Sequence, residues 1–121
     1  MSDVVSRDTA TQVVFCAYYR VHPEDRQKFI DAVVPHLHLT SKLPGCIFYS
    51  FGASLLDPNT IHLSEGWADQ EAVDRHHAGA PFQEALKKVI STVRILDHQG
   101  QRYEIAKQGS GDPPGGVPIH D

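Results

Sequence analysis

The stretch Ser64-Glu65-Gly66-Trp67 closes an alternating apolar run, and two adjacent histidines, His76 and His77, follow shortly after it. In an extended strand successive side chains point to opposite faces, so Ile61, Leu63, Glu65 and Trp67 share one face. A carboxylate on an apolar face is costly unless it is paired or neutral. Glu65 therefore reads either as an acid–base group of raised pKa or as the partner of Arg94, Arg20 or His76 in a structural bridge. His76 comes four residues after Ala72 and three after Val73, spacing that leans it inward from a helix. His77 is then expected to turn toward solvent or the helix end. Imidazole titrates near neutral pH, which suits His76 as a base or proton shuttle. The plainer alternative is a core histidine bonded to backbone. Trp67 offers a flat wall and an N–H donor, or simply core packing. A base, an acid and a flat wall are what proton removal from an aromatic guest in a water-poor cavity requires. The catalytic candidates are thus His76, Glu65 and Trp67. Tyr49, Tyr19 and Phe82 are candidate pocket walls, and Arg94 is a candidate for a substrate oxygen or for a structural pairing.

Other chemistries find less support. His36 and His38 lie two apart on a helix and face different directions, while His22, His62 and His98 are scattered, so no metal site is expected. No Gly-rich phosphate loop, dinucleotide fingerprint or nucleophile elbow occurs, so no cofactor is expected either. Cys16 and Cys46 sit inside apolar runs and read as buried free thiols, which fits a reducing cytoplasm. A net charge of −4 and a pI near 6.0 give no reason to expect nucleic acid or an anionic membrane as partner. No apolar run approaches the roughly 20 residues of a membrane helix, and the N-terminus lacks a secretory pattern.

The elements that must position these residues follow from local signals. One domain is expected over residues 12–106, flanked by a flexible arm at 1–11 and a flexible Gly/Pro-rich tail at 107–121. Thr11–Val21 is β-branched and aromatic, a strand. Pro23, Glu24 and Asp25 open a helix in which Phe29, Ile30, Val33, Val34 and Leu37 face inward, with a kink or break at Pro35. Cys46–Leu56 and Ile61–Ala68 form a hairpin around Asp57-Pro58-Asn59-Thr60. Asp69 caps a helix over Gln70–His77, Gly79 breaks it, and Pro81 starts another. A last strand begins near Val93. Whether the His98–Gln101 stretch bends it or turns it back as a hairpin stays open. The order β-α-β-β-α-β is the ferredoxin-like split arrangement, an α+β fold with an antiparallel sheet. Both sheet faces are apolar in the first two strands, while helices can cover only one. The other face is expected to be buried by a second copy, giving a homodimer with sheets face to face.

Leu43-Pro44-Gly45-Cys46 with Tyr49, Asp57-Pro58, Glu65-x-Trp67-x-Asp69, Glu71-Ala72, His76 and Phe82 occur in this order over roughly Gln12 to Ile105. In this the chain resembles the antibiotic biosynthesis monooxygenase (ABM) family of the dimeric α+β barrel superfamily. The resemblance implies a dimeric barrel and, for the activity, a cofactor-independent monooxygenase (an oxidoreductase) of a small quinol-like or polyphenolic substrate with dioxygen. An isomerase of a small oxygenated metabolite and a non-catalytic dimer that binds a small molecule are the alternatives within the same fold. Haem-degrading relatives place an asparagine where this chain has Tyr19 and a histidine where it has Leu86, and these departures argue against haem.

Overall fold

The computed structural model describes residues 11–120. Four strands, β1 (Val13–Val21), β2 (Cys46–Ala53), β3 (Thr60–Trp67) and β4 (Ile95–Glu104), form one sheet in the order β2-β3-β1-β4. Every neighbouring pair is antiparallel. Helices α1 (Arg26–Ser41), α2 (Gln70–Ala78) and α3 (Ala80–Thr92) cover one face. This is the α+β ferredoxin-like arrangement that the order of elements implies.

Local chemistry explains the boundaries. Pro23–Asp25 forms a short 3-10 turn before α1. The Asp69 carboxylate accepts from the Ala72 amide at 2.8 Å, capping α2. At the β2–β3 turn Asp57 accepts from the Asn59 amide and the Thr60 hydroxyl, and the Thr60 amide donates to its carbonyl. Gly45 has φ +84°, a conformation L side chains rarely adopt, and its carbonyl accepts from the Ala68 amide at 2.7 Å.

Several expectations need correction. Helix α1 runs unbroken through Pro35. The donor that Pro35 lacks would have served the carbonyl of Asp31, and both residues are exposed, so the break in the ladder falls on the outer side of the helix. The buried stripe of α1 is Phe29, Ala32, Val33 and Thr40, whereas Val34 is exposed. Strand β2 ends at Ala53, and Leu55 and Leu56 stand out in solvent beyond the ladder. Its register skips Ile47 between the Cys46–Trp67 and Phe48–Gly66 pairs. That bulge turns Cys46 to the helix side and leaves Ile47 exposed. The last strand is single and continuous. Its irregularity is at Leu96, between the Val21–Ile95 and Arg20–Asp97 pairs, not at His98–Gln101. Cys16 is exposed rather than buried, and Cys46 is half-buried; both are free.

The core has two parts on the helix side. Val21, Phe29, Ala32, Val33, Ile61, Val89 and Val93 form one. Val13, Trp67, Ala72 and Val73 form the other, with Phe15, Leu43, Cys46 and Tyr49 packed against it. The opposite face carries Val14, Tyr18, Phe48 and Tyr103 among polar neighbours such as His62, Ser64, Gln99 and Gln101. Phe48 and Tyr103 remain substantially exposed there. Residues 105–120 add no helix or strand. Among the described residues no helix is long and apolar enough to cross a membrane.

Candidate functional site

Alternation in β3 sends Ile61, Leu63, Glu65 and Trp67 to the helix side, where all four are buried. Trp67 is wholly enclosed, and its indole Nε1 donates to Glu65 Oε1 at 2.8 Å. The partner of Glu65 is therefore Trp67, not Arg94, Arg20 or His76. Burial pushes the Glu65 carboxyl pKa up, and the indole bond opposes part of that rise. Helix α2, leaning on β3 through Ala72 and Val73, lays His76 flat against Trp67, with ring centroids 4.7 Å apart and planes 23° from parallel. Tyr49 presents its edge to both rings, at 6.5 Å from Trp67 and 5.5 Å from His76. Phe82 from α3 meets His76 edge-on at 4.9 Å. His76 is 2% exposed, and among the described residues neither ring nitrogen has a hydrogen-bond partner. Burial, with a smaller contribution from the neighbouring His77, lowers its pKa to about 4, so it is neutral at physiological pH. The backbone-bonded core histidine is not what the structure contains.

Two cavities adjoin this stack. The larger, about 280 Å³, lies on the helix side of the sheet. Phe15, Ala17 and Tyr19 of β1 and Leu63 and Glu65 of β3 line it from the sheet. His77 and Phe82 line it from the helices, and β4 contributes His98 and Arg102. Its volume lies just under the ~300 Å³ at which small-molecule sites typically begin. Every residue of β4 is exposed, so the cavity's solvent side is along that strand. The smaller cavity, about 20 Å³, is lined by His36, Thr40, Tyr49, His76 and Phe82 among others. Phe82 borders both.

The candidates thus divide. Glu65, Tyr19 and Phe82 line the larger cavity. His76 and Tyr49 line only the smaller one, and Trp67 lines neither, standing behind Glu65 as its donor. Trp67 and His76 meet each other across the seam between sheet and helix and do not line the larger cavity, and the carboxylate is what reaches it. Arg94 takes the structural pairing. Its backbone N and Nε both donate to Asp25 Oδ2 at 2.8 Å, and Nη2 donates to Oδ1 at 3.2 Å. It lines neither cavity. These bonds tie the start of β4 to the turn before α1 and hold the buried Asp25 carboxyl well below the usual carboxylate range.

Sequence reasoning missed His98 and Arg102, and it sent His77 away from the cavity. His77 is solvent-exposed, yet its ring packs on Phe82 at 4.8 Å and on Phe15 at 6.4 Å. His98 stacks on Tyr19 at 4.6 Å, and its Nδ1 lies 3.1 Å from the Tyr18 carbonyl. A carbonyl only accepts, so Nδ1 carries the hydrogen and neutral His98 keeps Nε2 as an acceptor. Arg102 donates to Gln70 Oε1 through Nε and Nη2 and to Glu104 Oε2 through Nη1, bracing β4 against the start of α2. The available signal was the alternation His98, Gly100, Arg102, which register places beside Tyr19, Ala17 and Phe15. Among the described residues no three His, Cys, Asp or Glu side chains are grouped to hold a metal ion.

The family model described as antibiotic biosynthesis monooxygenase matches residues 12–88. Among solved structures, a conserved protein from Bacteroides thetaiotaomicron VPI-5482, described as of unknown function and a possible oxidoreductase, superposes with a TM-score of 0.71 at 20% identity. The match covers 79% of this chain and 99% of that one. A proposed antibiotic biosynthesis monooxygenase from Nitrosomonas europaea gives 0.71 at 18%, over 78% and 90% of the two chains. Another from Deinococcus radiodurans gives 0.73 at 18%, over 81% and 96%. At such identities the likeness is one of fold. No curated protein sequence matches the chain.

Proposed function

Because the chain belongs to the antibiotic biosynthesis monooxygenase family, we propose that it is a cofactor-independent monooxygenase of a small quinol-like or polyphenolic aromatic substrate, acting as a cytoplasmic homodimer. One observation carries this reading: a buried carboxylate of raised pKa, Glu65, fixed by an indole N–H, lines an aromatic-walled cavity of about 280 Å³. A general base works best when its pKa lies near the operating pH, and burial moves Glu65 in that direction. The rings of Phe15, Tyr19 and Phe82 suit a flat guest.

The reaction balances without an added reductant. Glu65 takes a phenolic proton, and the electron-rich anion passes one electron to dioxygen. The resulting pair collapses with a new C–O bond, and the peroxide regains its proton from Glu65. Loss of the proton from that carbon then breaks the O–O bond and leaves a carbonyl and water. Trp67 and His76 act here as positioning residues: Trp67 orients the carboxylate and His76 backs the indole. His77 and His98 are at hand for the second proton. Homodimerisation would bury Val14, Tyr18, Phe48 and Tyr103 on the sheet face that the helices leave uncovered.

The test is oxygen uptake with a panel of naphthalenediols. Uptake by the wild type, with a loss of about 10²- to 10⁴-fold in Glu65→Gln, is the expected result for a general base. No uptake above buffer across the panel would remove the proposal. Turnover that persists without oxygen would point to an isomerase, and tight binding without turnover to a binding protein.

A further inference from the structure

Among the described residues three buried ring nitrogens have no hydrogen-bond partner: Nδ1 of His36 and both nitrogens of His76. The two imidazoles come from different helices, α1 and α2, and line the same small cavity, together with the polar side chains of Thr40 and Tyr49. A neutral imidazole always presents one donor and one acceptor. Whichever tautomer His76 adopts, it has both to satisfy, and leaving either unmet in the interior is costly. A buried water needs roughly 10–15 Å³ of such space and two to four polar partners. The cavity offers about 20 Å³, room for one water and nothing larger. On its outer side His36 Nε2 lies 3.9 Å from Glu84 Oε2, a carboxylate that stands largely in solvent.

We propose that this cavity is a one-water site joining His36 to His76, and that it carries protons between bulk solvent and His76 by way of His36, with a solvent water relaying them across the 3.9 Å between Glu84 and His36 Nε2. His36 takes a proton at Nε2 and releases one at Nδ1 to the water, which releases one to His76. The reverse transfer restores both rings, and nothing is oxidised. The route does not pass through the larger cavity, which His76 does not line. It therefore stays open when a guest fills that cavity. Only this last consequence rests on the monooxygenase reading. The water site and the proton route stand on the orphaned nitrogens and the space between them.

The test is NMR on the full chain with 15N-labelled histidine, reading water-to-ring cross-relaxation at His76 and the solvent exchange rate of its ring N–H. The wild type should show a water cross-peak at His76. His36→Phe fills the cavity and removes a partner; the cross-peak should vanish and exchange should slow at least about tenfold, since it then needs local opening of the helices. Glu84→Gln, at an exposed position that leaves folding intact, should slow exchange while keeping the cross-peak. That variant decides the matter if His36→Phe does not fold. No cross-peak in the wild type, or an exchange rate unchanged in Glu84→Gln, would overturn the proposal. Neither readout involves turnover, so either result is distinct from failure of the oxygenase assay.

Discussion

Trp67→Phe isolates the bond on which the Glu65 carboxylate depends. Phenylalanine keeps a ring against His76 and Tyr49 but removes the Nε1 donor that lies 2.8 Å from Glu65 Oε1. A hydrogen bond to a charged group contributes about 1.5–3 kcal/mol, and here the acceptor is charged only when Glu65 is ionised. Burial already raises the Glu65 pKa and the indole bond opposes that rise, so losing the bond moves the titration further up. The sign for stability follows. A carboxyl whose folded pKa exceeds its unfolded value contributes stability below the unfolded pKa, and that contribution is lost as pH rises through the folded one. The variant should therefore be destabilised more above the Glu65 titration than below the ordinary glutamate range, by about 1.5–3 kcal/mol. The smaller ring also costs packing energy and alters the stack with His76, but Trp67→Phe made in a Glu65→Gln background carries the same costs, so subtracting its pH dependence removes them. Urea denaturation of these proteins at two pH values, one below about 3.5 and one above the Glu65 titration as followed by NMR, measures this difference. The acid limb of kcat/KM should move to higher pH in parallel. A destabilisation that is the same at both pH values would refute the argument, because the indole would then be packing and not holding a charge.

Three further outcomes are expected. Gly45→Ala combines a φ of +84° with a Cβ only 2.5 Å from the Cβ of Ala72, so strain and overpacking together should cost about 2–5 kcal/mol, read as a fall in Tm. Arg94→Gln leaves the buried Asp25 with Lys28 as its remaining charged partner, at 3.3 Å. Since Asp25 titrates below its ordinary range, the loss of stability should be full above the unfolded aspartate pKa and fade as pH falls toward the folded one, with turnover per folded molecule unchanged. Light scattering at micromolar concentration should report a dimer, and Phe48→Glu on the uncovered sheet face should give a monomer; a monomeric wild type would end the dimer reading.

The sequence was legible where one strong local signal sets the outcome. Asp69 caps α2 because a carboxylate before a helix accepts an orphan amide, and Asp57-Pro58-Asn59-Thr60 turns because Asp57 can accept from Asn59 and Thr60, two and three residues on. Reading failed where tertiary packing outweighs a local rule. Pro35 should disturb a helix, yet Phe29, Val33 and Thr40 anchor α1 on both sides of it, and the carbonyl it frees belongs to the exposed residue Asp31. The bulge that skips Ile47 has no visible mark in the sequence, and one inserted residue reverses the facing of Cys46. His98 and Arg102 escaped for a related reason. Their placement beside Tyr19 and Phe15 depends on the β1–β4 register, a pairing between the two ends of the chain.

The same distinction bears on what a shared face means. Glu65 and Trp67 were rightly placed on one side of β3, but alternation says only that two side chains point the same way, not how deep each lies. Depth comes from what packs above. At Trp67 the helix brings Ala72, Val73 and the flat ring of His76, and the indole is sealed. At Glu65 the same strand runs beneath the gap walled by His77, Phe82 and β4, and the carboxylate meets a cavity. A fully enclosed tryptophan can contribute to chemistry only through its one polar atom, and that atom is bonded to the carboxylate. His76, which touches the tryptophan and not the cavity, acts at one further remove. If the site is catalytic, replacing Glu65 should abolish the chemistry, whereas replacing Trp67 or His76 should retune it.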